Sequence, residues 1–323
     1  MIKSSIAPTS QINRPQPAHR ALRDASARAN VGDLTRKRLN PIHQNKFKTE
    51  KVKLERIGSP ESPQDATEYE LEVYLFMKHN ELKELPSPEL FQIQSNITPR
   101  MRSTVIDWLV DVHRKMKMHT DTLYLTVYLI DRYLSKFDLD KSKFQRLGCA
   151  ALLIASKNYE IYPPSIDDLV ELADKSFTRT ALIRMEASLF ACNDFHVDPI
   201  LSSMFLKRYL RLISPESKTS MLAYFISETA LLYPDFIGEV PSKLAAASVC
   251  LAMVITEGQS QWDRYLEINT GYKLSDISQL AQKLAQAVVT STTSRFQAIR
   301  KKYANQQMES VSLIQIPESL RIF

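Results

Sequence analysis

Glycine is scarce in this chain. Six of 323 residues are glycine, too few for the turns of a many-stranded sandwich or for a glycine-rich loop around a phosphate. The scarcity favours helices, whose interiors glycine weakens. Cysteine is scarcer still, at three. Cys149, Cys192 and Cys250 are odd in number, widely spaced and set in apolar stretches. That excludes a disulfide framework and zinc-ligand spacing, and reads as small buried hydrophobes in a reducing compartment. No apolar run approaches the ~20 residues of a membrane span, and the polar, proline-containing N-terminus has no signal-peptide core, so no membrane association is expected. No segment alternates with a period of two, so essentially no sheet is expected. A Gly-x-Ser-x-Gly elbow and a kinase catalytic set are also missing, and the chain is expected to be neither an enzyme nor a cofactor carrier.

What is present is globular: 44% hydrophobic residues with 24% charged, enough apolar content for about two ordinary domains. The charge is uneven. Residues 1–66 carry 13 Lys and Arg against six Asp and Glu, whereas the remainder carries 29 against 30. A near-neutral folded part argues against a nucleic-acid-binding core. Residues 1–66 also hold six prolines and a single aromatic, Phe47. Such a segment cannot bury enough surface to offset its ordering entropy, so a disordered basic regulatory tail is expected, with order beginning near Glu68.

Beyond the tail the pattern is helical and well punctuated. Tyr69, Val73, Phe76 and Met77 recur at helical spacing. Met101 to Met116 forms a helix whose apolar residues (Met101, Val105, Ile106, Trp108, Leu109, Val110, Val112 and Met116) cover about 200° of the circumference, twice an ordinary core-facing stripe. Such a helix is either central or shows apolar surface to a partner. Thr120 and Asp121 suit the start of a helix to Leu134, and Asp140 the start of one from Lys141 to Lys157. Pro163-Pro164 breaks the chain, Ser165-x-x-Asp168 is a capping-box pattern, and Thr178 caps a helix ending near Asn193. Leu147–Ala155 lines up with Leu244–Ala252 at an offset of 97 residues. Both are small-residue segments that let neighbouring helices approach closely. The implied fold class is all-α: an N-terminal helix and first bundle over 67–195, a second bundle over 196–305, and a C-terminal extension over 306–323.

Met101–Leu134, MRSTVIDWLVDVHRKMKMHTDTLYLTVYLIDRYL, resembles the start of the cyclin box. Lys143–Gly148, Ala155–Pro164 and Arg184-Met185-Glu186 resemble further family motifs. So do Phe205–Tyr209, Pro241–Ala247, Thr270-Gly271-Tyr272 and Arg300–Tyr303, which point to the mitotic A/B-type group with a lean to B-type. The resemblance covers about residues 67–316 and implies two tandem five-helix cyclin folds. The chain departs from the family pattern at Thr104 and Val105, where longer apolar residues are usual, at Asp111 in place of Glu, and at Asn158-Tyr159 in place of Phe-Glu.

By that resemblance the chain is a regulatory subunit that binds a cyclin-dependent kinase as a 1:1 heterodimer and activates it, in the nucleus and cytoplasm, around G2/M. Lys157, Glu186, Phe195, Tyr159, Tyr69 and Val73 are the implied kinase-binding residues. Met101, Val105, Trp108 and Gln145 correspond to a patch that docks Arg-x-Leu motifs of substrates or inhibitors, with Asp111 placed to receive the arginine. In the tail, Arg36 and Leu39 satisfy the Arg-x-x-Leu spacing of a destruction box, a signal for a ubiquitin ligase. His113 and His119 lack a third ligand and are not read as a metal site. Two other classes share the sequence pattern: a cyclin-fold transcription factor that binds DNA, against which the near-neutral folded part counts, and a helical scaffold that activates nothing.

Overall fold

Several of the apolar runs become helices bounded by side chains that satisfy the backbone groups a helix end leaves open. The computed structural model describes residues 54–59, 61, 65–258 and 261–316. Its helices are α1 (Glu70–Asn80), α2 (Leu90–Ile93), α3 (Pro99–Lys115), α4 (Thr120–Leu134), α5 (Phe144–Tyr159), α6 (Ile166–Leu172), α7 (Arg179–Cys192), α8 (Ser202–Ile213), α9 (Ser217–Leu232), α10 (Pro241–Glu257), α11 (Arg264–Thr270), α12 (Leu274–Thr293) and α13 (Ala298–Lys302). There is no strand among the described residues. Thr98 accepts from the Met101 amide ahead of Pro99, which fits the first turn because it has no amide hydrogen to leave unpaired. Ser165 and Asp168 form the full capping box, and Thr178 caps α7. Two starts differ from the sequence reading. His119, not Thr120 or Asp121, caps α4, its Nδ1 accepting from the Asp121 amide at 3.3 Å. Asp140 caps a 3₁₀ turn over Lys141–Lys143, and the α-helix follows from Phe144.

Helices α3–α7 and α8–α12 form two bundles, each built around one helix. In the first, α5 packs against α3, α4 and α7; in the second, α10 packs against α8, α9 and α12. Every residue from Leu147 to Ser156 is buried, as is every residue from Leu244 to Val254. The aligned small-residue segments are therefore the two central helices. Gly148 shows why small residues stand there: a Cβ on it would meet Val105 Cγ1 and Leu109 Cδ1 at 3.1 Å.

Helix α3 explains its own breadth of apolar surface by serving both cores. Leu109 and Val112 join the core of the first bundle, while Ile106 and Val110 join that of the second, with Leu123 and Val127 of α4. Arg102 is 1% exposed. Its Nε and Nη2 donate to the two carboxylate oxygens of Asp131 at 2.6 and 2.7 Å, and its Nη1 to the Leu231 carbonyl at 3.0 Å. Ser103 Oγ donates to the Leu232 carbonyl at 2.7 Å. Two side chains of α3 thus satisfy the carbonyls that the C-terminus of α9 leaves open, and the guanidinium sits at its negative dipole end. Tyr124 hydroxyl donates to Ser227 Oγ at 2.8 Å, a further bond between the bundles.

The N-terminal helix docks on the second bundle. Tyr74 is buried edge-on against Phe205 and Tyr209, with the Arg208 guanidinium 4.1 Å from its ring centroid. Glu81 accepts from the Ser242 amide and hydroxyl, each at 2.8 Å, at the start of α10. Order begins earlier than Glu68. The Glu55 amide donates to Asn269 Oδ1 at 2.8 Å, Arg208 Nη2 donates to the Glu55 carbonyl, and Leu54 packs on the second core. The disorder expected for 1–66 therefore does not extend over 54–59. These residues find backbone partners on a surface that composition cannot foresee. Residues 1–53, with the Arg36 and Leu39 signal, lie outside the described residues. Residues 306–316 stay against the second bundle, with Val311 buried in its core.

The Arg102–Asp131 pair sets the stability. Asp131→Ala leaves a buried guanidinium with one carbonyl partner and is expected to cost about 3–5 kcal/mol in urea denaturation. The double change Arg102→Met with Asp131→Leu is expected to cost clearly less than that single one. Equal costs would show that the charge pairing contributes nothing.

Candidate functional site

Two surface regions gather the residues that the sequence singled out. The first lies at the C-terminal end of α5. Lys157 stands in its last turn and reaches α7, where its Nζ donates to Glu186 Oε1 at 2.5 Å. Lys157 is exposed, and two of its three donors have no partner among the described residues. Next to it, Asn158 Nδ2 donates to the Val197 carbonyl at 3.4 Å, which holds the segment after α7 beside the end of α5. That segment carries Phe195, 74% exposed, at φ +62° directly after Asp194 at φ +52°. A bulky residue in the left-handed region with its ring in water is held against its own preference, a pattern typical of binding sites. Tyr159 is half-buried, its ring stacked on that of His119 with centroids 6.3 Å apart, and burial pushes its hydroxyl pKa up to about 12. It supports the region more than it projects from it.

Tyr69 and Val73 stand on the face of α1 away from the buried Tyr74, and both are exposed, as is Phe76 one turn on. Phe76 lines a cleft of about 520 Å³ between the bundles whose other wall includes His196, the neighbour of Phe195. Neither Lys157 nor Glu186 lines this cleft. Sequence reasoning named Ile161 and Tyr162 only as part of a motif. In the structure they are 88% and 91% exposed directly after Lys157 and Tyr159. Two large apolar side chains before Pro163-Pro164 were the available signal, since a loop has no core-facing period to absorb them.

The second region is the outer stripe of α3. Met101, Val105 and Trp108 are half-buried and pack on the first core from its edge, so Trp108 is neither fully core nor free. Gln145 accepts from Ser176 Oγ at 3.2 Å, and Asp111 pairs with Arg114 at 3.1 Å. Both are surface interactions that a ligand can exchange. Thr104 does not interrupt this stripe idly. It is exposed, and its hydroxyl accepts from Arg295 Nη2 at 3.0 Å. His113 is buried with Nε2 on the His119 carbonyl at 2.8 Å, and burial lowers its pKa. Among the described residues no group of three or more His, Cys, Asp or Glu could hold a metal, and no helix is long and apolar enough to cross a membrane. All three cysteines are buried.

Two five-helix bundles joined through one shared helix, with these two outward-facing regions, define a cyclin-type regulatory fold. Residues 72–197 match the N-terminal domain of cyclins and residues 200–317 the C-terminal domain. The chain belongs to the cyclin family. It is 37% identical over 255 residues to cyclin-A1 of Xenopus laevis, an alignment covering 79% of this chain and 61% of that one. It is 34% identical to cyclin-A1-4 of Oryza sativa subsp. japonica, over 80% of this chain and 75% of that one. With G2/mitotic-specific cyclin-B of Marthasterias glacialis it shares 33% identity, over 79% and 65%. Relatives of both mitotic types are thus present, and A/B-type is the level at which the resemblance holds. The chain spans about three fifths of the length of the first of these relatives. The fold is also that of a viral cyclin from herpesvirus saimiri (TM-score 0.59, 22% identity, covering 67% of this chain and 97% of that one). A weaker likeness is to the yeast RNA Pol II CTD kinase CTDK-1 complex (TM-score 0.54, 12% identity, 72% and 90%).

Proposed function

We propose that this chain is the non-catalytic regulatory subunit of a cyclin-dependent protein kinase, forming a 1:1 heterodimer in cell-cycle control around G2/M, in the nucleus and cytoplasm. The observation that carries the reading is the Lys157–Glu186 pair together with uncovered apolar side chains: Ile161 and Tyr162 in the loop that follows α5, Phe195 on the segment whose Val197 carbonyl Asn158 holds, and Tyr69, Val73 and Phe76 at and just before α1. An exposed ion pair contributes about 0–1 kcal/mol to folding, so stability does not account for it. Free donors among exposed apolar side chains suit a protein partner's helix end and its apolar flank. The rigid surface binds only the active arrangement of the kinase's regulatory helix, and differential affinity draws the kinase over to that state. A DNA-binding reading lacks a basic surface to support it, since the folded part is near neutral.

The outer stripe of α3 then serves as the substrate-docking surface for Arg-x-Leu motifs: leucine on Met101, Val105 and Trp108, with Gln145 beside them, and arginine on Asp111. In the tail, Arg36 and Leu39 would recruit a ubiquitin ligase.

Three outcomes follow. Lys157→Ala with Glu186→Ala should abolish activation in a histone kinase assay with purified kinase while shifting folding free energy by under about 1 kcal/mol. Full activation by the folded variant would remove the assignment. Trp108→Ala should weaken an Arg-x-Leu peptide roughly 30-fold, corresponding to about 2 kcal/mol at a central aromatic anchor. It should barely change phosphorylation of a short substrate without the motif, and parallel loss of both activities would instead mark Trp108 as a packing residue. Deleting residues 1–53, which spares the ordered 54–59, should leave a kinase-activating protein that persists through mitotic exit. Unchanged turnover would dismiss the destruction signal.

A further inference from the structure

The docking stripe of α3 is bordered at one end by positive charge that nothing among the described residues neutralises. Arg295, in the turn between α12 and α13, is exposed and reaches across to Thr104, to which its Nη2 donates at 3.0 Å. Its guanidinium lies 5.0 Å from the ring centroid of Phe296. A hydroxyl and an aromatic ring hold it in place, and neither carries a negative charge. Arg100 stands one turn before Thr104 on the same side of α3, also exposed, and no ion pair involves either arginine among the described residues. The opposite end of the stripe carries Asp111, paired with Arg114 at 3.1 Å in a surface contact that a peptide arginine can displace. Asp111 lies seven residues beyond Thr104, almost two full turns, so the two share a face about 10.5 Å apart along the axis. Trp108 stands between them. The surface therefore has an anion end, an apolar middle and a cation end.

An extended peptide advances about 3.3 Å per residue and turns every second side chain to the same side. A basic residue, a leucine two positions on and a third residue two further on then span about 13 Å on one face, matching the distance once the side chains lean inward. We propose that this surface selects docking peptides of the form Arg-x-Leu-x-Glu or Arg-x-Leu-x-Asp, with the final carboxylate received by Arg295 and Arg100. The proposal rests on the reading of α3 as a docking surface and adds the acid. It also gives Thr104 a role: a longer apolar residue there could not hold the guanidinium by a hydrogen bond.

Fluorescence anisotropy with the intact chain tests it, using labelled Arg-x-Leu-x-Glu peptide and counterparts ending in Ala or Lys. The Glu peptide should bind about fivefold tighter than the Ala peptide, the size expected of an exposed charge pair. The preference should shrink at about 0.5 M salt, where screening is short-ranged. Arg295→Gln together with Arg100→Gln, the first keeping a donor for Thr104, should erase the preference without changing affinity for the Ala peptide. Arg295→Glu should turn the preference toward Lys. Equal affinities for the Glu and Ala peptides on the wild-type chain, or a preference that survives the double change, would overturn the proposal. If the Ala peptide still binds and depends on Trp108, only the acid selection falls. If neither peptide binds, or if Trp108→Ala leaves both unaffected, the docking surface falls with it.

Discussion

Arg102 and Asp131 meet where three helices from two bundles converge, and the geometry of both surfaces depends on that meeting. A guanidinium excluded from water needs a carboxylate and further acceptors, and here it has them: both oxygens of Asp131 on α4 and the Leu231 carbonyl at the end of α9. The pairing orients α3 against α4 and against the second bundle at once. An apolar contact of the same area would tolerate sliding, whereas a bidentate pair has one register. With Ser103 on the next carbonyl, the start of α3 is fixed. Its outer stripe, one side of the same cylinder, therefore has only one direction in which to face.

The second bundle and the N-terminal helix follow the same physics. Glu228 is fully buried and accepts from Lys302 Nζ at 2.7 and 2.9 Å and from the Tyr303 hydroxyl at 2.8 Å, which anchors α13 against α9. Asp107 of α3 accepts from the Ala298 amide at 2.9 Å at the start of α13, tying the two bundles again. Glu81 receives the first amides of α10 where the helix dipole is positive. Arg102 and Glu81 each meet both an ionic and a backbone need. The element positions are thus set by polar groups that cannot be left unpaired, and the apolar core fills the space between them.

A frame fixed in this way can spare apolar side chains for the outside. Phe195, Ile161, Tyr162 and Phe76 are largely exposed, and the adjacent left-handed residues Asp194 and Phe195 hold a ring outward at some conformational cost. For the proposed kinase activation rigidity matters, because a surface that could remodel itself would bind both states of a kinase and shift no equilibrium.

The all-helical class, the two bundles and the Ser165 and Thr178 caps were readable from residue types and spacing, because helical periodicity and capping side chains are local properties, while Lys157 and Glu186 were singled out by the family resemblance. The width of the α3 apolar arc was readable too, but not its meaning. Only packing shows that Ile106 and Val110 face one core, Leu109 and Val112 another, and Met101, Val105 and Trp108 neither completely. Thr104 looked like a defect in an apolar pattern until the fold brought Arg295 to it from 191 residues away. His119 capping α4 and the early order at Glu55 were likewise decided by neighbours distant in sequence or by a side chain not usually found in that role. Sequence determines which residues want burial, charge or a cap. Which of those wants are met, and which remain turned toward a partner, depends on long-range contacts that only the tertiary fold brings together.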